Sequence, residues 1–473
     1  MQIRNASGLI KGSPLTRQAR QIAVELLDAG LTAADSRRLV QRALKRQGNL
    51  LHFGGSKLSL EQQAAIYVVG MGKATGRMAE ATESILKDQI TDGLIIVPQG
   101  TEHDFSLSRI RVAGGGHPVP TPEGAAATQA MLDLIAHAPA EAFVLCLVSG
   151  GGSALTALPV PPMTLEDLQV TFKLLVQSGA PIDAMNTVRK HLSLVAGGQL
   201  AHAVYPRRLW SLLISDIPHD RLDVIAGGPT LPDPSSFADA AQMLHQFELW
   251  DRVPPRVRQH IGKGVNGSIR ETLKPADPVF TRVVNRLVGS NRDACEAILH
   301  AARHRGFRAR LLTTDCQGEA REVGAKLARL AVKTHEEARG ATQVVIIGSE
   351  TTVTVRHPGK GGRNSELVAT AMKQLQGHPG LVVASLATDG IDGPTEYAGA
   401  IADETSYSRA QELHHSPDDA LARNATYFLL EALDDHILTG STHTNVRDVT
   451  VIVAMKRSGA KHSPAYSGSA PDQ

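Results

Sequence analysis

Cysteine is nearly missing from this chain: 473 residues hold three, Cys146, Cys295 and Cys316, with no CxxC spacing. An odd, unpaired set excludes a disulfide framework, and Cys146, inside an apolar run, reads as a small buried residue. A reducing, cytoplasmic setting is the expectation. Long hydrophobic runs are absent too, and the opening MQIRNASGLIKGSPL has no signal-peptide core, so neither a membrane span nor secretion is expected. Nor does charge of one sign prevail. Lys plus Arg number 49 against 47 Asp plus Glu, a net +2 that gives no field for nucleic acid or a membrane surface. No His/Cys cluster has the spacing of a zinc or iron site. GxxxxGK[ST] does not occur, so any phosphate chemistry is not of the P-loop kind.

What is present is glycine, 43 residues of it, with aromatics held to 4%. That mix suits helices packed closely on strands. The apolar runs 64–70, 93–98, 143–151 and 209–216 are continuous rather than alternating, the pattern of parallel strands buried on both faces. Residues 13–48 have the spacing of two helices, with Ile22, Leu26 and Leu27, then Leu39 and Val40, on one side. A polar, helix-poor piece is expected around 252–268 as an interdomain region. Strand-like runs then restart with RLVGSNRDA and continue through ATQVVIIGSETTVTV, GLVVASLATDGIDG and VTVIVAM. The predicted fold class is α/β in two domains, 1–265 and 280–455, with 456–473 as a disordered tail.

Several stretches carry chemistry. In YVVGMGKATG, Gly70, Gly72 and Gly76 sit where a strand turns into a helix, and Lys73 lies within the turn. The spacing is close to a dinucleotide fingerprint without matching it, and the next strand ends IIVPQG with no acid for a ribose. VSGGGSA places Gly150, Gly151 and Gly152 between Ser149 and Ser153, able to present a nest of N–H groups; a purely structural turn is the alternative. Asn186, Arg189, Lys190 and His191 open a helical segment that suits a phosphate or merely a solvated face. Asp216 ends a strand at the position where open α/β sheets bind ligands. Asp389 and Asp392 in TDGIDGPT have the oxygen chemistry of a Mg²⁺ site shared with substrate phosphates, or of ordinary turns. Glu350 lies on a strand, and Lys360, Arg363 and Asn364 lie in a glycine-rich loop, where arginine offers a planar fork of donors to phosphate oxygens.

Taken in order, VVGMGKAT, GGGHPVPTPEG, LVSGGGSAL, NTVRKHLS, LISDIP, IAGGPTLPDP, GSNRDA, GSETTVTV, GKGGRNSE and TDGIDGPT resemble the glycerate 2-kinase family, over residues 15 to 455. The resemblance implies a Rossmann-like N-terminal domain, a smaller C-terminal α/β domain of the MOFRL type, and an active site in the cleft between them. It implies ATP- and Mg²⁺-dependent phosphorylation of D-glycerate at its 2-hydroxyl. Glycerate and ATP are then the partners, and a homodimer is one assembly it allows. Lys73 of the GKA turn and Arg363 of the GGRN loop become the key catalytic positions. Asp216 and Asp389 are the candidates to hold the metal or accept the hydroxyl proton, and Lys190 to hold the glycerate carboxylate. Gly70, Gly72, Ser149, Gly150, Gly151, Gly152, Ser153, Asn186, Ser290, Asn291 and Glu350 complete the expected binding set. The late GSTHTNV departs from the family's GPTGTNV, with Ser441 for proline and His443 for glycine. An NAD(P)H-dependent hydroxypyruvate reductase and a non-catalytic binding protein are the competing readings.

Overall fold

A computed structural model describes residues 2–456 apart from 64 and 339. The tail expected at 456–473 lies outside the described residues save for Lys456. Among the described residues, fifteen strands form three sheets. A small hairpin sheet comprises β1 (Leu44–Gln47), β2 (Leu50–Phe53) and β3 (Ser56–Ser59). The first large sheet contains β4 (Ile66–Met71), β5 (Ile90–Pro98), β6 (Ile110–Gly115), β7 (Phe143–Val148), β8 (Arg208–Ile214) and β9 (Val283–Gly289). The second contains β10 (Arg308–Glu319), β11 (Gln343–Thr352), β12 (Leu381–Ala387), β13 (Gly399–Asp403), β14 (His436–Ile437) and β15 (Asp448–Ala454).

The first large sheet is wholly parallel in the order β6-β5-β4-β7-β8-β9. The chain works outward from β4 on one side and from β7 on the other, the doubly wound arrangement of a Rossmann-type sheet. All six residues of β7 are buried, as a strand covered on both faces requires. The β4/β7 boundary is the switch point where successive crossovers diverge, and both strands end there in the glycine turns. The second sheet is mixed, in the order β10-β11-β15-β12-β13-β14, with β15 antiparallel to both neighbours. Its first residue, Asp448, therefore pairs with Ser349 near the end of β11 and with Ala387 at the end of β12.

The chain departs from the expected domain boundaries in two places. The helix Pro14–Ala33 packs on β12 and β15 of the second sheet rather than joining the first. Strand β9, expected to open the second unit, is the edge strand of the first sheet, paired with β8. The apolar faces explain this. Leu26, Leu27 and Leu31 share one continuous core with Val382, Val451 and Val453, and that core also takes in Leu145 and Leu212 of the first sheet. Residues 252–268 are not helix-poor: Pro255–Val265 is a helix started by Pro255, and Val257 and Ile261, one turn apart, bury its inner face. With helices Leu165–Gln177, Ile182–Lys190 and Phe237–Gln246 it forms a helical lobe around its own core of Leu168, Leu175, Val188, Leu244 and Ile261.

A buried arginine anchors the N-terminal helix. Arg20 is fully buried and pairs with Asp403, and its Nη1 lies 2.9 Å from Asp435. Burial opposes its charge, but the two carboxylates outweigh that and raise its pKa. Removing the cation would strand the buried Asp403, while Lys11 and Arg409 still reach Asp435 at 3.1 and 3.2 Å. Arg20→Leu is expected to cost about 3–5 kcal/mol of stability, read by urea unfolding. A loss below about 1 kcal/mol would show that this pair does not hold the helix.

Candidate active site

The site begins at the switch point. Met71 pairs with Val148, so the turns after β4 and β7 leave side by side. They are laced together: Lys73 N–H donates to Gly150 O at 2.9 Å, Ser149 N–H to Met71 O at 3.0 Å, and Ala74 N–H to Ser149 Oγ at 3.0 Å. Gly72, at φ +127°, has no room for a side chain, since a Cβ there would stand 2.2 Å from Ser149 Oγ. Ser149 is buried and spends its hydroxyl on this turn, so it positions Lys73 rather than touching a ligand. The N–H groups of Gly150 and Gly151 donate to no protein acceptor among the described residues, which leaves them for an anion. Gly150 also backs directly onto Asp216: a Cβ would lie 1.6 Å from Asp216 Oδ2.

The second sheet brings its own strand ends to the same place. Lys73 Nζ lies 3.3 Å from Asp389 Oδ2, a contact between the two sheets' loops, while Ile391 N–H holds Asp389 Oδ1 at 3.1 Å. Arg363 is the first residue of the helix Arg363–Leu375. Its Nη1 reaches Glu350 at 2.7 Å, and its Nε and Nη2 grip Asp448 at 2.5 and 2.7 Å. Asp392, expected beside Asp389 as a metal-type oxygen, instead caps this helix. It accepts from Asn364 N–H, Ser365 N–H and Ser365 Oγ at 2.8, 2.8 and 2.6 Å. Asn445 Nδ2 bridges back to Asp216 Oδ2 at 3.4 Å. A cavity of about 440 Å³ opens between the halves, lined by Lys73, His117, Thr101, Asp389, Ser441 and His443 among others.

The charges form one network. Burial pushes the Glu350 carboxyl up to about 8, with Asp448 adding to the effect and Arg363 opposing it. Asp216 is raised by burial and by Asp389, and pulled back by Lys73 and Arg447. Arg363 stays charged because Asp448 and Glu350 outweigh its desolvation, and Asp389 acts on it as well. Asp448, which faces two nitrogens of the Arg363 guanidinium, is also pushed up by burial, with Arg363 opposing the effect. For His117, loss of surrounding solvent and the Lys73 charge push the pKa down to about 4. The imidazole is therefore neutral at pH 7.

Other expected positions have different work. Lys190 is buried and faces Asp233 at 3.3 Å and Asp223 at 3.6 Å. It lines a separate cavity of about 260 Å³ in the helical lobe, not the one that holds Lys73. A lysine already matched by two acids does not fit the role of holding a carboxylate. Asn186 is buried one turn earlier on the same helix. Asn291 is wholly buried, and its Nδ2 donates at 2.9 Å to both Val446 O and Asp448 O. It therefore fixes the approach to Asp448 and cannot meet a ligand. Ser290 caps the same helix with Asp293. Ser153 and Gly152 lie at the outer end of the glycine turn, where Gly152 packs on Ala226. Gly70 closes β4 against Leu147. Among the described residues no group of three or more His, Cys, Asp or Glu is set to hold a metal ion. Asp448, Asn445 and His117 were not singled out from the sequence, although GGGHPVPTPEG and TNVRD contain them.

Comparison with known proteins matches the chain in two parts. A family model described as a domain of unknown function (DUF4147) matches residues 22–262, and the MOFRL family model matches 343–448. A glycerate 2-kinase of Pyrococcus horikoshii is 37% identical, with 93% of this chain and 98% of that protein covered. A D-glycerate 2-kinase of Thermotoga maritima is 33% identical, with 91% and 97% covered. The chain belongs to the glycerate 2-kinase family. The crystal structure of a Thermotoga maritima glycerate kinase superposes with a TM-score of 0.79 at 32% identity, covering 92% of this chain and 99% of that one. An Agrobacterium vitis relative at 33% identity, with 92% of this chain and 94% of that protein covered, carries a provisional hydroxypyruvate reductase name.

Against the glycerate 2-kinase pattern, the GSTHTNV segment has a physical consequence. His443 takes the glycine position with φ +52°, a left-handed conformation that costs a side-chain-bearing residue. Its ring stands edge-on to Phe105 at 5.0 Å and forms part of the cavity wall. The tightest constraint in the site is at Gly150. Gly150→Ala would force Asp216 or the turn to shift by an ångström or more, and a displacement of that size is expected to lower turnover about a hundredfold. Steady-state kinetics with glycerate and ATP check this; unchanged turnover would remove the turn from the site.

Proposed function

We propose that this protein transfers the γ-phosphoryl group of ATP to the 2-hydroxyl of D-glycerate, giving 2-phospho-D-glycerate and ADP. The observation that carries the reading is Lys73 from one sheet meeting Asp389 from the other, in a network that includes Arg363. Phosphoryl transfer asks a protein mainly for positioning and for charge opposite the equatorial phosphate oxygens. Lys73 supplies a point charge on a turn held by Ser149, and Arg363 a guanidinium held in plane by Asp448. The glycerate hydroxyl oxygen bonds to the γ-phosphorus as the bond to the ADP oxygen breaks. The hydroxyl proton passes to Asp389, and the N–H groups of Gly150 and Gly151 hold phosphate oxygens.

Mg²⁺ is usually held by one or two carboxylates plus substrate phosphates, so no preassembled cluster is required. Asp216 suits it: no cation touches the carboxylate, and burial disfavours its bare charge. The ion would supply positive charge to the phosphates there. No helix among the described residues is long and apolar enough to cross a membrane. Small-molecule partners and a cytoplasmic setting accompany this reading, and it allows a homodimer. The tip of β5 carries Pro98 and Gln99 and no acid for a dinucleotide ribose, which disfavours the reductase alternative.

An ADP-release assay with D-glycerate, with NMR of the product, is expected to give 2-phosphoglycerate. Oxidation of NADH by hydroxypyruvate without ADP release would overturn the reading. Lys73→Ala and Arg363→Ala should each lower kcat about a hundredfold; wild-type turnover from both would remove the assignment. Glu350 is neutral below a pH of about 8 and ionises above it. That new negative charge opposes an anionic substrate, so kcat/KM should fall as pH rises past 8. Glu350→Gln should flatten that alkaline limb, and a limb unaltered in the variant would assign it to another group.

A further inference from the structure

Two adjacent cations in NTVRKHLS have opposite surroundings. Lys190 is matched by two acids, whereas no carboxylate acts on Arg189, whose charge is disfavoured by burial alone. The Arg189 guanidinium stacks 4.6 Å over the Phe172 ring, its Nη2 lies 4.0 Å from the Met185 sulfur, and its Nε is buried with no acceptor. An unpaired, partly buried guanidinium is a costly arrangement in an empty protein and a useful one beside an anion.

Arg189 stands between two openings. On one side is the small space beside Ser153 and Gly227, at the end of the glycine turn. On the other is a cavity of about 520 Å³ walled by Pro118, Val119, Pro120, Val170, Phe172 and Val176. Val119 and Val176 are 61% and 62% exposed there, an unusual place to leave two valines. No carboxylate lines this cavity; its polar lining is Gln169, Gln177 and Lys173 beside Arg189, with Gln169 Nε2 donating to Pro120 O at 2.7 Å. Pro118 also lines the cleft that holds Lys73, so the apolar cavity adjoins the candidate active site.

We propose that this is the nucleotide's seat, with the purine base in the apolar cavity and Arg189 on the phosphates nearer the base, while Lys73 and Arg363 serve the terminal phosphate. A planar base has two apolar faces and a polar edge, which the proline and valine walls and the glutamine amides complement. A guanidinium can give phosphate oxygens two parallel hydrogen bonds. The inference rests on the kinase reading for the position of the terminal phosphate, but its test does not depend on turnover.

Calorimetric titration of the full chain with ATP, and separately with inorganic tripolyphosphate, tests it. Arg189→Gln is expected to weaken both ligands at least tenfold. Val119→Gln combined with Val176→Gln, at exposed positions that the fold does not need, should weaken ATP about tenfold and leave tripolyphosphate unchanged. ATP affinity that matches wild type in either variant, equal losses for both ligands in the valine pair, or no ATP binding by the wild type would overturn the proposal. So would a change in sedimenting mass in the valine pair with ATP affinity intact, which would make the cavity a contact between copies of this chain. Phosphorylation of glycerate by the wild-type preparation is measured alongside. Turnover with unmoved affinities refutes only the nucleotide seat; shifted affinities without turnover refute only the kinase reading.

Discussion

The contact between Lys73 and Asp389 is where the two sheets become one site. Each residue stands two positions past a strand end, β4 in one case and β12 in the other, so neither can move far without moving its sheet. The pairing of Asp448 with Ser349 and Ala387 then sets Glu350, Asp389 and Asp448 at one level of the second sheet. The chain's halves are already tied by a shared core that includes the N-terminal helix, which gives these strand tips a stable mutual position. Catalytic groups on strand ends of rigid sheets hold their geometry better than groups on free loops.

Charge explains why the arrangement waits for a ligand. Asp216, Asp389, Glu350 and Asp448 stand opposite Lys73 and Arg363, with Arg447 nearby. Carboxylates crowded away from water resist ionisation, and burial pushes Asp216, Glu350 and Asp448 all upward here. No cation touches Asp216, though Lys73 and Arg447 act on it from further off, and Glu350 shares Arg363 with Asp448. A nucleotide arriving with a divalent cation would relieve the first, and an anionic phosphate would take up the spare donors of Arg363. The same logic applies to Arg189, a cation that lacks an acid.

Much of this was legible in the sequence, for definite reasons. Continuous apolar runs marked the parallel strands, and glycine spacing marked the turns at the switch point. Lys73, Asp216, Glu350, Arg363 and Asp389 lie beside such turns or strand ends, and the resemblance to the glycerate 2-kinase family, rather than local spacing, implies the roles of Lys73 and Arg363. The errors came from long-range partners. Lys190 was read as a ligand because Asp223 and Asp233, over thirty residues later, are invisible to local spacing. Asn291 looked like a binding residue, but the strand-15 approach claims both of its amide hydrogens. Asp392 was grouped with Asp389 by proximity, yet its backbone direction turns it to the helix at Arg363. A helix's apolar stripe does not say which sheet it will cover, so the packing of Pro14–Ala33 on the second sheet is not legible locally. In 252–268 the Pro, Arg and Gly content masks the one-turn spacing of Val257 and Ile261 that the helix buries.

The central claim is that groups from both halves act as a unit on one phosphoryl group, and a double-mutant cycle in kcat/KM for glycerate addresses it most directly. The cycle combines Lys73→Met and Asp389→Asn, measured singly and together. If the two share one site, the double variant should lose less than the product of the single losses, with a coupling of about 0.5–3 kcal/mol. Losses that simply multiply would mean that the two side chains serve separate places, and the account of a single interdomain site would be wrong.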